Sequence, residues 1–227
     1  MVFVEDGSLM VKILFEDNHL LVVVKPVNMP VCEDSSGDLD LLSYLKSYLK
    51  EKYNKPGNVY LGLIHRLDRP VGGIMVFAKT SKCASRLSEQ VRAGSLHKKY
   101  YAVVCGNLSG NGVFKDKLLK DSRTNMVTVD SRGKDSSLEY NVVSNKNGYS
   151  LVDINLITGR SHQIRVQFSS RGFPLYGDQK YNKNSVVGEQ IALFSYCLSF
   201  FHPITKELME FRENIPNRKP FNFFKDI

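Results

Sequence analysis

The apolar positions along this chain change period several times, and each change marks an element. Val11 to Phe15 and Leu20 to Val24 are short β-branched runs separated by Glu16-Asp17-Asn18-His19, which predicts a hairpin. Lys25-Pro26 ends the second strand, because proline brings no N–H to a ladder. After an acidic, irregular loop from Asn28 to Gly37 the period lengthens. Leu42, Leu45, Leu49 and Tyr53 recur at helical spacing, with Asp38 or Asp40 as the cap and Pro56-Gly57 as the stop. A second helix starts at Thr80 or Ser81, buries Ala84, Leu87 and Val91, and ends at Gly94. Lys98 to Gly106 returns as a strand, with Lys98, Tyr100 and Ala102 on one face. Short strands near Val113 to Leu118, Met126 to Val129, Leu138 to Val143 and Tyr149 to Ile157 then alternate with turns such as Ser-Arg-Gly-Lys and Lys-Asn-Gly, the pattern of antiparallel sheet. Thr158 to Phe168 opens a helix with Ile164 and Phe168 inward, and Gly172 and Pro174 close it. Ile191 to Phe201 reads as a core strand broken by His202-Pro203, and Leu208 to Arg212 as a last strand. No linker or repeat interrupts the pattern, so residues 11–227 are expected to form one domain behind an N-terminal extension of residues 1–10, with Met10 as an alternative start.

One stretch does not fit a plain strand-turn-strand reading. From Leu61 to Thr80 the chain sets Asp68 between Arg66 and Arg69 and follows it with Pro70, Gly72-Gly73 and the apolar run Ile74 to Ala78. In an extended approach Arg66 and Asp68 share one face while His65 and Leu67 take the other. Pro70 disfavours helix at Arg69, so the chain turns just after the acid and leaves it at the mouth of a buried strand. For Asp68 taken alone, a strand-loop-strand connection with a salt-bridged acid is the preferred reading over an active-site acid.

Composition narrows the classes of function. Hydrophobic content of 42% and charged content of 24% suit a globular protein with a real core. The formal charge of +8 favours a polyanionic partner. Cys32, Cys83, Cys105 and Cys197 show no metal-ligand spacing, so they read as reduced thiols of a cytoplasmic protein, and no zinc site is expected. Export and membrane insertion are not expected either, since no apolar run is long enough and the N-terminus carries Glu5 and Asp6. Lys115, Lys117, Lys120 and Arg123 form either a solvated face or an RNA-facing ridge. In the Thr158 segment, Ser161, His162 and Arg165 share a face at helical spacing. The free N–H groups beside Arg160 point to a phosphate site there, or else the segment is a capped amphipathic helix with exposed arginines.

Taken together, His65-Arg66-Leu67-Asp68, Lys98-Lys99-Tyr100-Tyr101-Ala102 and Thr158-Gly159-Arg160-Ser161-His162-Gln163-Ile164-Arg165 resemble the three motifs of the RluA family of RNA pseudouridine synthases. Lys25-Pro26, the Gly172 to Asp178 segment and His202-Pro203 agree as flanks. The resemblance implies an α/β fold of α+β type, a long, mixed and mainly antiparallel sheet flanked by helices and loops. It implies isomerisation of uridine in ribosomal or transfer RNA, without cofactor or metal, by a chain taken as a monomer. Asp68 falls on the family's essential acid, Tyr100 on its active-site tyrosine and Arg165 on the basic partner of the acid. Arg66 falls on the arginine that replaces the flipped nucleotide, and His65, Leu67, Arg160, His162 and Gln163 on flanking substrate-binding positions. Those roles make physical sense: a base in structured RNA must leave its stack before its glycosidic bond can be reached, and a guanidinium keeps a carboxylate ionised. Three departures stand out. Val71-Gly72-Gly73 replaces the usual Thr-Ser-Gly, and Gln167 and Phe194 stand where relatives often have histidine. The S4 RNA-binding domain of many relatives is not expected before the first strand. A non-catalytic RNA-binding protein of the same fold is the main alternative, and a glycoside hydrolase would want a second carboxylate that the motifs lack.

Overall fold

The computed structural model describes residues 3–5 and 8–224. It is a mixed α/β protein that divides into two compact units, Met1–Leu96 with Cys197–Glu213, and His97–Tyr196 with Asn214–Ile227.

The first unit opens with β1 (Phe3–Glu5) and β2 (Ser8–Met10), which pair antiparallel within the N-terminal extension. β3 (Lys12–Glu16) and β4 (Leu20–Lys25) form the predicted hairpin. The Asp17 carboxylate accepts the His19 and Leu20 N–H groups and so holds the reversal. α1 (Leu41–Lys52) starts at Asp40, whose side chain accepts the Ser43 N–H at 3.0 Å. Its buried stripe is Leu41, Leu45 and Leu49, one position off the predicted Leu42 start. Tyr53 ends the helix 46% exposed because its hydroxyl reaches out to Glu16 at 2.6 Å. Tyr48, Lys52 and Lys79 donate to the same carboxylate, tying α1 to β3. Burial pushes the Glu16 pKa up, but those four donors outweigh it and bring it to about 2.

A two-residue strand, β5 (Gly62–Leu63), leads to β6 (Gly72–Ala78), in which every residue is buried. α2 (Ser81–Ala93) runs from a Thr80 cap to a left-handed Gly94 at φ 71°, as its sequence predicts. Cys83 and Leu87 are its fully buried residues, and they pack with Leu20, Val22, Ile74, Val76, Leu198 and Phe200. Ala84 lies at the edge of that cluster, and Val91 is exposed, contrary to the predicted stripe.

The second unit is built from antiparallel neighbours: β7 (His97–Cys105), β8 (Asn111–Asp121), β9 (Met126–Val129), β10 (Lys134–Lys146) and β11 (Tyr149–Leu156), in the order β7-β11-β10-β8-β9. Asn147 and Gly148, both at positive φ, make the β10–β11 turn that Lys-Asn-Gly predicts. α3 (Gln163–Ser169) packs its Phe168 edge-on to Phe114 and Tyr140. β12 (Leu193–Phe201) crosses the division between units, and β13 (Leu208–Arg212) pairs with its second half in the first unit. A 3-10 turn at Phe221–Phe224 buries Phe221 and Phe224, which the sequence reading did not foresee. Among the described residues no helix is long and apolar enough to cross a membrane.

Candidate active site

In the first unit, the chain leaves the β5–β6 ladder after Leu63. One residue pair further on, His65 Nε2 accepts the Val76 N–H at 3.3 Å, so an imidazole takes the place of a strand carbonyl and the chain peels away from the sheet. Alternation then holds as predicted: Leu67 is buried, Arg66 is exposed, and Asp68 is half-buried between them and the turn. The Val71 N–H closes that turn on the Asp68 carbonyl at 2.9 Å. Val71 itself is buried, and Gly73, at φ 131°, lies opposite Lys25 in the β4–β6 register. Only glycine takes that backbone without strain.

Lys25, a flank of the family resemblance, proves central to the Asp68 turn. It closes β4 with a fully buried side chain, and its ammonium donates to the carbonyls of Pro26 at 2.8 Å and Arg69 at 3.0 Å. The turn that carries Asp68 is therefore clamped to the end of β4. Burial lowers the Lys25 pKa from 10.5 to about 7, with the nearby Asp68 carboxylate opposing that fall and Arg69 adding to it. A lysine closing an all-apolar strand, followed by a proline, was the available signal.

Arg69 reaches the β4–α1 loop. Its guanidinium donates to Ser36 Oγ at 2.9 Å, to Asp34 at 3.4 Å and to Asp38. Cys32, in the same loop, feels Arg66 and Lys46; burial, together with Asp40, raises its thiol pKa against those two cations.

In the second unit, Tyr100 sits on β7 opposite Ile154 and is 5% exposed. Its neighbour Tyr101 stacks on Tyr196 at 3.9 Å, and Tyr196 donates to Asp153 at 2.9 Å. Lys98, two residues before Tyr100, has its pKa lowered by burial. A Cβ on Gly159 would come within 3.1 Å of the Lys98 ammonium, so the second and third motifs meet there.

The third motif departs from the expected helix. α3 begins at Gln163, not at Ser161, and His162 precedes it at φ 49° with no side-chain cap. Ser161 and His162 therefore do not share a helical face with Arg165. Gln163 is buried and used as scaffold: its carbonyl oxygen accepts from Thr158 Oγ1 and from the Arg160 N–H, and its amide donates to the Ser137 carbonyl. The Arg160 N–H, beside the helix start expected to bind phosphate, is thus already taken, and the Arg160 side chain donates to the Asp135 carbonyl.

His162 Nδ1 lies 2.6 Å from the Tyr181 hydroxyl, which also accepts the Val127 N–H. The same Tyr181 ring lies 5.1 Å from the Arg165 guanidinium. Arg165, 7% exposed, makes a two-pronged pair with Asp178 at 2.8 and 2.7 Å. Asp178 also accepts the Lys180 and Tyr181 N–H groups, which saturates a fully buried carboxylate. Asp178 and Tyr181 were not singled out from sequence. Asp178 does close the Gly172 to Asp178 flank of the family resemblance, and that was the available signal. Gln167, one of the departures, is buried and donates to Asp116 at 2.7 Å.

Arranged this way, the first unit presents a carboxylate on a turn held from behind by a buried cation. The second holds an aromatic strand position and a locked guanidinium. Residues 19–170 match the family model described as RNA pseudouridylate synthase. Ribosomal large subunit pseudouridine synthase D of Zymomonas mobilis is 34% identical over 93% of this chain and 71% of its own length. Ribosomal large subunit pseudouridine synthase C of Buchnera aphidicola is 33% identical over 86% of this chain and 64% of its own length. The fold matches human RNA pseudouridylate synthase domain containing 4 with a TM-score of 0.74 at 24% identity, covering 90% of this chain and 88% of that one.

Proposed function

This chain belongs to the RNA pseudouridylate synthase family, and on that premise we propose that its substrate is uridine in ribosomal RNA. It is an RNA pseudouridine synthase: the N1–C1′ bond of uridine breaks, the uracil turns, and C5 bonds to C1′ while its proton is lost and N1 gains one. The reaction is an isomerisation, so atoms balance without a second substrate.

The observation that carries the assignment of the site is the clamped turn at Asp68. Lys25 fixes the carbonyl that follows the acid, and Leu67 anchors the residue before it, which leaves the carboxylate pre-positioned and half-exposed. A surface salt bridge needs no such support from a buried ammonium. In this reading Asp68 acts at the ribose, either as nucleophile on C1′ or as base. Arg66, exposed two residues earlier, fills the stack that the base leaves. Tyr100 and Arg165 fall on the family's tyrosine and arginine and are assigned to the reaction on that resemblance alone, as are His65, Leu67, Arg160, His162 and Gln163 to RNA binding. A binding protein without catalysis gains nothing from a pre-positioned carboxylate among RNA phosphates, which disfavours that alternative.

Ribosomal RNA is preferred to transfer RNA because both relatives above are named for the ribosomal large subunit. The chain acts as a monomer in this proposal. Incubating purified protein with unmodified ribosomal and transfer RNA and mapping pseudouridine in each tests both levels. Modification of a ribosomal site supports the reading, modification of transfer RNA alone moves the substrate, and binding without pseudouridine overturns the enzyme.

A further inference from the structure

The acidic loop beside Asp68 is out of keeping with an RNA-binding surface. Within a chain of formal charge +8, Glu33, Asp34 and Asp38 fall within six residues of each other, and two of them hold the side chain of the residue next to the essential acid. Asp34 folds the loop onto itself by accepting the Ser36 N–H and hydroxyl, and Gly37 completes the turn at φ 73°. The result is three oxygens, from Asp34, Ser36 and Asp38, converging on one guanidinium. An anionic oxygen cluster around an arginine fork is the geometry in which arginine also takes a phosphodiester.

We propose that Arg69 is a contact for an RNA phosphate, held before binding by the acidic turn 34–38, which stands in for that phosphate and is displaced by it. The inference rests on the RNA-modifying function proposed above. Three features favour exchange over a fixed structural bridge. The partners are exposed, Arg69 by 41%, Asp34 by 40% and Asp38 by 56% of their side chains, so water already competes for the pair and little is lost when it opens. The Arg69 carbonyl is held separately by Lys25, so its side chain can swing without moving Asp68. And the carboxylates have a use when not displaced: an RNA that places no phosphate at Arg69 leaves them in position and meets their repulsion, which penalises the wrong substrate.

The test is a set of binding measurements on the full chain with a short uridine-containing RNA hairpin at several salt concentrations. The variants are D34N/D38N, R69A and all three changes together; every altered side chain is exposed. With Arg69 present, D34N/D38N should bind about 5- to 10-fold more tightly than the unaltered protein. R69A should bind more weakly, with the salt dependence reduced by about one phosphate contact. In the R69A background, D34N/D38N should bring no more than about a 2-fold gain. Equal gains in both backgrounds would mean that the acids act only through general charge and would overturn the exchange. No gain from D34N/D38N would overturn it as well. Failure of the unaltered protein to bind any RNA would remove the function on which the inference rests, and so is distinguishable from failure of the exchange alone.

Discussion

The buried Lys25 makes a prediction that separates its electrostatic role from its hydrogen bonds. Its pKa of about 7 in the fold against 10.5 for an ordinary lysine means that the unfolded chain holds this proton more tightly. Below pH 7 both states carry it, and the fold bears the full penalty of the buried charge, on the order of 5 kcal/mol. As pH rises from 7 to 10.5 the folded protein has released the proton while the unfolded chain still binds it, so stability rises across that window. Lys25→Met removes the ammonium and the penalty, but leaves the Pro26 and Arg69 carbonyls without a donor, at about 1–3 kcal/mol each. The opposing effects leave the variant within a few kcal/mol of the parent at pH 7. Urea unfolding of both proteins from pH 6 to 10 isolates the lysine, because other titrating groups cancel in the difference. The parent should gain several kcal/mol on the variant between pH 7 and 10. A difference that stays flat would refute a buried, depressed ammonium. Turnover of the variant should fall about 10- to 100-fold with the turn unpinned, since small displacements of a reacting group are expensive.

Two other buried charges give stability predictions. Asp178→Ala removes the two-pronged hydrogen-bonded pair with the buried Arg165 guanidinium and should destabilise the protein by about 3–5 kcal/mol in denaturant titration. A change below 1 kcal/mol would mean that the pair is not the lock it looks to be. For Glu16, held at about 2 in the fold against 4.5 unfolded, the stabilisation is present above pH 4.5 and lost as pH falls toward 2. Glu16→Gln should therefore be less stable at pH 7 by about 2 kcal/mol, discounted because Lys52 is partly exposed, and equal to the parent near pH 2. Parallel pH-stability curves for the two proteins would contradict this.

How much of this was legible in the sequence depends on how local the cause is. The helix caps, the Gly94 stop and the Asn147-Gly148 turn are decided by a few adjacent residues: Asp40 and Thr80 are each one of the two caps the pattern offers, and the stop and the turn fall where it puts them. The β6 strand is buried on both faces, so its continuous apolar run reads directly. Longer-range causes were hidden. Tyr53, read as part of the apolar stripe, lies at the surface and bonds Glu16, and Leu41 rather than Leu42 begins the buried stripe. The third motif starts its helix late because Gln163 closes the loop on Ser137, 26 residues away. Lys25 meets Arg69 across 44 residues, and Arg165 meets Asp178 across the loop that follows its helix. Each is a polar group buried by partners that no local pattern announces. The family motifs marked Asp68, but not the lysine that holds its turn.

The central claim is that Asp68 is the residue on which the reaction depends. The most direct measurement is pseudouridine formation by Asp68→Asn on ribosomal RNA, with folding followed by circular dichroism and RNA affinity by filter binding. The account predicts a folded protein that still binds RNA and forms pseudouridine at least about 100-fold more slowly than the parent. A folded Asp68→Asn protein that modifies RNA at the parent rate would contradict it.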